Sequence, residues 1–381
     1  MAHITRIESF VFRTPLATPL RASFGSMPDR SAVFIRVEDA DGAVGWGEVW
    51  CNFPTIGAEH RARLFDTFIA PRLLRQDSAA DPRGFWQDTD RALHVWTLQS
   101  GEPGAFAAAL AGADIALHDL AARRAGLPLW RHLGGTNASP VPVYASGLNP
   151  GREALETVEV SRAEGFRAFK IKIGFGEAED MATLRPVVDG LEAGERVMVD
   201  ANQVWEVGTA CRMAARLAEF PLAWIEEPLP ADRPDWEWAR VNAAAQSPLA
   251  AGENWRGMSA YQRALADESL SVLQPDICKW GGLSGTLPVA QAIIAAGRTY
   301  CPHFLGGGVG LFASLHLLAA VRGPGLLEVD ANPNPLREGL VGNLFRLQDG
   351  EIPLPEGPGL GFEPDLTPFA RLRTLHTEKR T

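Results

Sequence analysis

The sequence predicts an α/β protein, with a (β/α)8-type barrel of the modified TIM kind and an N-terminal α+β capping domain that the C-terminal tail completes. Near the N-terminus, alternating apolar and polar residues indicate antiparallel strands, and a helical period follows them. Beyond residue 140, short apolar runs alternate with helical stretches, which is typical of parallel strands covered by helices. A chain of 381 residues also exceeds what one hydrophobic core usually serves, so we expect two domains.

We place the domain boundaries where the pattern changes. Residues 1–138 are expected to form the capping domain and residues 139–350 the barrel that carries the catalytic site. Residues 351–381 are rich in Pro and Gly at their start and are expected to return to the capping domain.

The capping domain opens with strand signals. Residues 3–13 and 32–49 alternate, and the pair Asp41-Gly42 between two alternating runs is a strong hairpin signal. A helical stripe then extends as far as Gly126, which is expected to stop the last helix.

Eight apolar runs are candidates for the barrel strands. As a set, these runs are too apolar for strands with one wet face, so all are expected to be covered on the outside. The runs are residues 141–146, 167–173, 197–200, 222–227, 248–253, 271–276, 298–303 and 325–329.

Seven of these runs end on an ionisable residue, at successive spacings of 28, 26, 27, 23, 27 and 25 residues. A single Asp in this position is usually a helix N-cap. Seven ionisable residues at equivalent strand ends are not explained by helix capping alone. The active sites of such barrels lie at the C-terminal strand ends, and the barrel interior should otherwise be aliphatic. We expect one site from Lys172, Asp200, Glu226, Glu253, Asp276, His303 and Glu328.

Three carboxylates on neighbouring strands, Asp200, Glu226 and Glu253, predict a Mg²⁺ site, because hard oxygen ligands without Cys or His favour this ion. Glu227 should point to the opposite face of its strand, and a helix-cap or surface salt-bridge role is favoured for it. Asn202 shares the side of Asp200 and is a candidate substrate contact, although an Asn in a turn is the ordinary interpretation.

Lys170 and Lys172 share one face of a strand whose other face is apolar. On a generic strand both would be surface residues. In a barrel the apolar face meets the helices, so both lysines should point into the mouth. Two neighbouring ammonium groups disfavour each other's charged form, so we expect a lowered pKa and assign Lys172 as the base.

His303 ends a strand next to the one that ends in Asp276, an arrangement in which the carboxylate fixes the imidazole tautomer and raises its basicity. Glu328 is a candidate hydrogen-bond donor to a substrate oxygen if its surroundings keep it neutral. The glycine-rich residues 306–310 carry a weak signal for an anion cradle at a helix start.

The composition of the chain bears on which partners and which compartment are expected. The net charge is −10, and the chain lacks a Lys/Arg run that would follow a phosphate backbone, so nucleic acid is not expected. The four cysteines show no CxxC spacing, which favours free thiols in a reducing compartment. The start does not resemble a signal peptide, and no apolar run approaches bilayer length, so we expect a cytoplasmic protein without a membrane partner.

Taken together, these residues resemble the enolase superfamily and, within it, the mandelate racemase/muconate lactonizing enzyme family. The match covers nearly the whole chain, and the muconate lactonizing branch would carry Lys at the position of Asp276, so the mandelate racemase branch is the more similar. The resemblance is carried by ADIALHDLAARRAGLPLWRHLGG (113–135), FKIKIG (169–174), MVDANQ (198–203), WIEEP (224–228), GENW (252–255), QPDICKWGG (274–282), PHF (302–304) and GPGLG (357–361).

The resemblance implies that Asp200, Glu226 and Glu253 bind Mg²⁺, that Lys172, helped by Lys170, and His303, helped by Asp276, are bases, and that Glu328 is the electrophile. A Lys or His base that works with Mg²⁺ is the general pattern of this superfamily. The resemblance also implies that two capping-domain loops close over the substrate, which makes Arg21, Phe24, Trp50 and Phe53 candidate specificity residues.

The implied reaction is removal of the α-proton of a small carboxylate through an enediolate. Dehydration of an acid sugar is the favoured outcome, because such dehydratases are numerous in the family. Racemisation or epimerisation of a 2-hydroxy acid is the alternative, and a catalytically silent binding or structural relative is a remote one. A homo-oligomer is also implied.

Overall fold

The computed structural model describes residues 3–74 and 80–381, and the side chains of residues 17, 18, 21, 22 and 152 are outside this description. The capping domain contains a four-stranded antiparallel sheet in the order β13-β1-β2-β3. Its strands are β1 (Ile4–Ala22), β2 (Gly25–Asp39), β3 (Val44–Val49) and, from the C-terminal tail, β13 (Arg373–Arg380).

The hairpin predicted at Asp41-Gly42 is confirmed. It joins β2 to β3, Gly42 has φ 81°, and the Asp39 carboxylate accepts hydrogen bonds from two backbone N–H groups of the turn. β1 is longer than the sequence suggested, because it continues in a second hairpin with β2 as far as Ala22, paired with Gly25. This second hairpin extends toward the mouth of the barrel.

Five helices complete the capping domain: α1 (Gly57–Leu64), α2 (Ala70–Leu73), α3 (Pro82–Ser100), α4 (Pro103–Arg124) and α5 (Leu129–His132), with a π-helical turn, Phe65–Ile69, between α1 and α2. α4 lies so close to β3 that a Cβ on Gly45 or Gly47 would come within 2.2 Å of an α4 carbonyl oxygen. The glycines of β3 therefore set the distance between helix and sheet.

The expectation that no apolar run reaches bilayer length is wrong for α4. This helix, 22 residues long with a mean hydropathy of 1.4 in its most apolar window, is long and apolar enough to cross a membrane by length and composition. However, 78% of that window is buried inside the fold, between β3 and the barrel helices. The burial of α4 between two layers accounts for its apolar character.

Eight parallel strands form the barrel in the order β10-β9-β8-β7-β6-β5-β4-β11. They are β4 (Val141–Leu148), β5 (Ala168–Lys172), β6 (Arg196–Asp200), β7 (Ile225–Glu226), β8 (Leu249–Ala251), β9 (Val272–Leu273), β10 (Thr299–Tyr300) and β11 (Leu327–Asp330). The two ends of this path meet where Leu326 N–H lies 3.3 Å from Cys301 Sγ and Phe304 N–H donates to Glu328. The predicted α/β barrel with its capping domain is confirmed.

The barrel helices are α6 (Arg152–Ala163), α7 (Glu177–Asp189), α8 (Val207–Leu217), α9 (Asp235–Ala244), α10 (Met258–Asp267), α11 (Gly282–Ala295), α12 (Gly308–Val321) and α13 (Pro335–Val341). Two 3-10 turns, Gly342–Leu344 and Thr367–Leu372, follow. The short strand β12 (Glu351–Ile352), at the start of the tail, pairs antiparallel with β4 of the barrel.

One layer of side chains closes the inside of the barrel, with one residue from each strand unit: Tyr144, Ala168, Met198, Trp224, Ala250, Val272, Cys301 and Leu326. Because side chains alternate along a strand, the residues two positions later face the same interior. That second layer consists of Ser146, Lys170, Asp200, Glu226, Gly252, Gln274, His303 and Glu328. The barrel interior therefore changes from mainly apolar to mainly polar within one layer.

Buried carboxylates of the capping domain bind the N-terminal ends of barrel helices. Glu48 of β3 accepts hydrogen bonds from Gly307 N–H and Gly310 N–H at the start of α12. Asp114 of α4 accepts from Leu283 N–H and Ser284 N–H at the start of α11. The glycine-rich loop with the weak anion-cradle signal thus holds a carboxylate of the protein itself.

Burial raises the pKa of Glu48 from 4.5 to about 7, although the two N–H donors oppose the shift. The folded protein then holds this proton more tightly than the unfolded chain, so Glu48 makes stability fall as pH rises from the unfolded pKa to the folded one. We predict that the Glu48→Gln variant, whose side chain cannot ionise, lacks this pH-dependent contribution to the free energy of unfolding. The loss of one N–H acceptor costs the variant stability at every pH.

The measurement is thermal or urea unfolding of both proteins between pH 4.5 and pH 8. The stability of the native protein relative to Glu48→Gln should decrease over this range by roughly 3 kcal/mol. Parallel curves would show that Glu48 is ionised in the fold at all these pH values. Burial also raises the pKa of two other carboxyl groups on α4, Asp114 to about 7 and Asp119 to about 6. Because both residues are present in both proteins, their titration cancels in the difference.

Candidate active site

The two lysines of β5 point into the barrel mouth and are buried. Lys170 Nζ lies 2.5 Å from Glu226 Oε1 and 2.7 Å from Glu328 Oε1, so it joins two strands on opposite sides of β5. Lys172 Nζ, two residues nearer the opening, lies 2.6 Å from Asp200 Oδ2. Both predicted catalytic lysines are therefore within the polar layer and its rim.

The expectation of a lowered pKa for Lys172 is wrong for this arrangement. Burial lowers this pKa and Lys170 lowers it further, but Asp200 and, to a smaller extent, Glu226 together outweigh both, and the net pKa is raised. The pKa of Lys170 is raised well above its ordinary value for the same reason, since Glu226 and Glu328 overcome the effect of burial. The expectation from sequence considered only the repulsion between the two lysines, because the carboxylates that contact them lie on other strands.

Glu226 lies deep in the polar layer. Besides Lys170, it accepts hydrogen bonds from Trp224 Nε1 at 3.1 Å and Gln274 Nε2 at 2.6 Å. Burial is the main cause of its raised pKa, which Lys170 partly offsets. The backbone of a two-residue strand and three donors therefore fix the orientation of this carboxylate.

Glu253 lies nearer the opening of the barrel, one residue beyond the polar layer. Glu253 binds Lys279 Nζ at 2.9 Å through one oxygen and His303 Nε2 at 2.9 Å through the other. Although burial opposes it, these two partners hold the pKa of Glu253 well below its usual range. Each of the three predicted metal ligands is thus in contact with a cationic side chain.

In the described part of the chain, no three acidic, His or Cys side chains are grouped around one point as in a formed metal centre. Asp200 and Glu226 instead share the ammonium groups of β5. The donor set itself consists of hard oxygen atoms, and two further oxygens there, Asn202 Oδ1 and Glu227 Oε2, are buried and lack a hydrogen-bond partner among the described residues. This chemistry fits a divalent cation such as Mg²⁺.

The assignment of Glu227 to a helix cap or to a surface salt bridge is wrong. Its side chain is 1% exposed and lines the cavity at the barrel mouth. The backbone leaves the strand at this residue with φ 42°, in the left-handed region, so the alternation of a regular strand no longer applies. Burial, followed by the charge of Glu253, raises the pKa of Glu227 well above its ordinary value.

His303 and Asp276 form the predicted pair. His303 Nδ1 lies 2.8 Å from Asp276 Oδ2, and Asp276 is held in turn by the N–H groups of Cys278 and Lys279. The other ring nitrogen faces the mouth and contacts Glu253. Burial lowers the pKa of His303, but Glu253, Glu328 and Asp276 overcome this effect and the net pKa is raised well above the usual value.

Glu328 is buried, as expected, but the condition that its surroundings keep it neutral is not met. It accepts from Ser146 Oγ at 2.5 Å and Phe304 N–H at 2.9 Å, and it pairs with Lys170. Burial alone would raise its pKa, but Lys170 and His303 make the net shift downward. Glu328 is therefore a carboxylate that accepts hydrogen bonds in this structure.

Above the polar layer lies a cavity of about 430 Å³, covered by capping-domain residues. Phe24, Trp50 and Phe53 line it as predicted, with the Phe24 and Phe53 rings 5.1 Å apart. Asn202 also lines it. The side chain of Arg21, the fourth candidate from the capping domain, is outside the described residues.

Sequence reasoning missed several polar residues of this cavity. Lys279 binds Glu253 and Asn254 and lies 4.5 Å from the centre of the Trp50 ring. Its position three residues after Asp276 is the signal that would have found it, because a turn after the strand returns it to the same opening. Arg30 and Asp330 also line the cavity. The place of Asp330 two residues after Glu328 would have found it, whereas its pairing with Arg30 gave no signal because the two are 300 residues apart in sequence.

Comparison with known proteins gives the same family over both domains. The family model for the mandelate racemase/muconate lactonizing enzyme N-terminal domain matches residues 6–134, and the enolase C-terminal domain-like model matches residues 153–367. A solved structure from Bordetella bronchiseptica RB50, described as a mandelate racemase/muconate lactonizing enzyme, is 51% identical with a TM-score of 0.91, over 97% of this chain and 99% of that one.

The relatives include proteins with named activities. A D-galactarolactone cycloisomerase of Agrobacterium fabrum is 32% identical over 94% of this chain and 96% of its own length. The structure of an L-talarate/galactarate dehydratase from Salmonella typhimurium LT2, liganded with Mg and L-lyxarohydroxamate, is 27% identical with a TM-score of 0.86 and covers 100% of this chain and 95% of that one. Relatives thus include a dehydratase and a cycloisomerase. On these matches the chain belongs to the mandelate racemase/muconate lactonizing enzyme family of the enolase superfamily.

Proposed function

We propose that this protein is a Mg²⁺-dependent enzyme that removes the α-proton of a small carboxylate substrate. The observation that carries the proposal is the position of two proton-transfer groups in one cavity. Lys172 is on β5 and His303 follows β10, three strand positions away around the barrel. The predicted metal carboxylates lie in the same mouth, so a substrate in the cavity meets both groups.

Asp200, Glu226 and Glu253 are the proposed Mg²⁺ ligands, because they present oxygen atoms from three adjacent strands. When bound, Mg²⁺ supplies positive charge that offsets the buried carboxylates and polarises the substrate carboxylate. The magnesium named in the solved dehydratase structure supports this choice of metal.

Lys172 is the proposed base for the α-proton. Asp200 stabilises its ammonium form in this structure, and the neutral amine that a base requires would become accessible when Asp200 serves as a Mg²⁺ ligand instead. An ammonium group at Lys170 would stabilise the negative charge that forms on the substrate carboxylate as it becomes an enediolate. Glu328 holds Lys170 in place through its 2.7 Å contact, so its proposed role here is to position the Lys170 ammonium group. His303, oriented by Asp276, then donates a proton.

Dehydration of an acid sugar is the outcome that we propose. In this reaction the Cα–H proton goes to Lys172, the Cβ–O bond breaks, and His303 gives its proton to the departing hydroxyl group, which leaves an enol that becomes a 2-keto-3-deoxy acid. The Salmonella dehydratase supports this outcome.

Racemisation or epimerisation of a 2-hydroxy acid is the second candidate. The observation that favours it is the same placement of two separate proton-transfer groups, since His303 can return a proton to Cα in place of protonating a leaving group.

We further propose a cytoplasmic location, which the four free thiols at Cys51, Cys211, Cys278 and Cys301 support.

The metal assignment predicts that Glu253→Gln lowers Mg²⁺ affinity by about tenfold to a hundredfold, because one charged oxygen ligand is lost. Isothermal titration with MgCl₂ measures this directly, without substrate. The matched control is Glu237→Gln, which removes a buried carboxylate of α9 that pairs with Arg233, away from the mouth. Equal Mg²⁺ affinity in both variants would reject Glu253 as a ligand.

The proton-transfer assignment predicts the fate of the α-proton in D₂O. With Mg²⁺ and a panel of sugar acids and 2-hydroxy acids followed by NMR, a 2,3-dihydroxy acid should become a 2-keto-3-deoxy acid. Lys172→Ala should lower this rate by about a hundredfold to ten-thousandfold.

His303→Asn separates the two outcomes. For dehydration, turnover should fall by a similar factor. For racemisation, the variant should stop turnover of one enantiomer, while Lys172 still exchanges the α-proton of the other for deuterium. Full activity in His303→Asn would remove the His303–Asp276 pair from the mechanism, and the absence of exchange with every acid would favour a silent relative.

A further inference from the structure

We propose that Arg30 and Asp330 form a subsite that binds a hydroxyl group at the end of the substrate remote from its carboxylate. The inference rests on the proposed function and deepens it, because it names a chemical feature of the substrate. The two residues come from different domains: Arg30 lies on β2 of the capping sheet, and Asp330 is the last residue of β11.

Both side chains line the cavity and are 3% exposed. The Arg30 guanidinium pairs with Asp330 Oδ2 across the boundary between the domains. Asp330 is two residues beyond Glu328 on the same strand, so its side chain faces the same opening. The pair therefore stands beside the polar layer, nearer the capping domain.

The hydrogen-bonding capacity of Arg30 is not used up by this pair. Its Nε–H has no partner among the described residues, and the contact of Nη1 is with the sulfur of Met27 at 3.6 Å, a weak acceptor. A buried donor without an acceptor costs free energy, which makes a ligand oxygen in this corner favourable. Burial lowers the pKa of Arg30, consistent with a guanidinium that is short of polar partners.

Outside this pair, the cavity wall above the polar layer offers few groups that could hydrogen-bond to a polar group of the substrate. Amides of the cavity wall are engaged, since Asn52 donates to Leu305 O at 2.6 Å and Gln203 accepts from Ala231 N–H at 2.7 Å. Asn332 donates to Asp330 Oδ1 from both its backbone N–H and its side chain, so Oδ2 of Asp330 keeps the acceptor capacity for a ligand. The rest of the described wall above the polar layer is largely apolar and includes Leu20, Phe24, Met27, Phe53, Val204 and Leu305. A substrate thus meets one polar corner away from the proposed acid–base groups.

The charge of this corner selects a hydroxyl group over a second carboxylate. A hydroxyl group donates one hydrogen bond and accepts others, so it can donate to the Asp330 carboxylate and accept from Arg30. A carboxylate accepts only, and Asp330 would repel it. The expected substrate is a hydroxy acid with a hydroxyl group distant from the reacting carbon.

A purely structural clamp between the domains is the competing explanation. Arg337 offers the matched control, because its guanidinium is also buried and donates to the backbone oxygen of Asp330, yet it does not line the cavity. Loss of a clamp should weaken the turnover of every substrate together. Loss of the subsite should affect only substrates that carry the distal hydroxyl group.

The experiment compares the native protein with Asp330→Asn, Arg30→Lys and Arg337→Lys. The probes are five- and six-carbon aldonic acids and analogues in which one distal hydroxyl group is replaced by hydrogen, each with Mg²⁺. We expect the native protein to prefer one hydroxy acid over its deoxy analogue by about tenfold or more in kcat/KM, the effect of a hydrogen bond to a charged group. Asp330→Asn and Arg30→Lys should remove this preference mainly through KM, and Arg337→Lys should keep it.

The outcomes distinguish the two proposals. If the native protein exchanges α-protons but treats every hydroxy acid and its analogue alike, the subsite is rejected and the proposed function stands. If it exchanges no α-proton in any acid, the proposed function fails first. If Asp330→Asn and Arg337→Lys lose turnover equally on both members of a pair, the corner is a clamp.

Discussion

The concentration of negative charge at the barrel mouth is the constraint on which this structure depends. Six carboxyl groups meet there, and five of them are buried while the side chain of Glu253 is 13% exposed. The other five are those of Asp200, Glu226, Glu227, Asp276 and Glu328. Buried carboxylates persist only with cationic or hydrogen-bonding partners. Lys170, Lys172, Lys279 and His303 supply that charge, so the groups proposed for proton transfer also hold the site together. The same excess of oxygen atoms suits a divalent cation.

Docking of the capping domain depends on a second set of buried carboxylates. Glu48 and Asp114 supply acceptor oxygens at the starts of α12 and α11, where the first N–H groups lack partners within the helix. These contacts fix the capping domain over the mouth, to which it contributes Arg30 from β2 and Trp50, the residue after β3. Through Lys279, which contacts both Trp50 and Glu253, the roof of the cavity is connected to a proposed metal ligand.

The sequence determined the barrel and the members of its polar layer. Apolar runs that end in ionisable residues at spacings near one βα unit are a local property of the chain, and the parallel barrel brings all such ends to one opening. The positions of Asp200, Glu226, His303 and Glu328 followed from this rule, and the position of Lys170 followed from alternation with Lys172 on the same strand. The strand pairs themselves are shorter than the apolar runs: β9 and β10 have two residues each, and Asp276 and His303 lie three residues beyond them.

Only the tertiary structure decided the electrostatic state of these residues and the shape of the cavity. The pKa of Lys172 rises because Asp200, 28 residues away, lies 2.6 Å from its ammonium group, and Glu227 faces the mouth because the backbone turns at φ 42°. The Arg30–Asp330 corner joins residues 300 positions apart. Spacing along a chain predicts which strand end a residue occupies, whereas a charge interaction depends on distances that only the packed domains define.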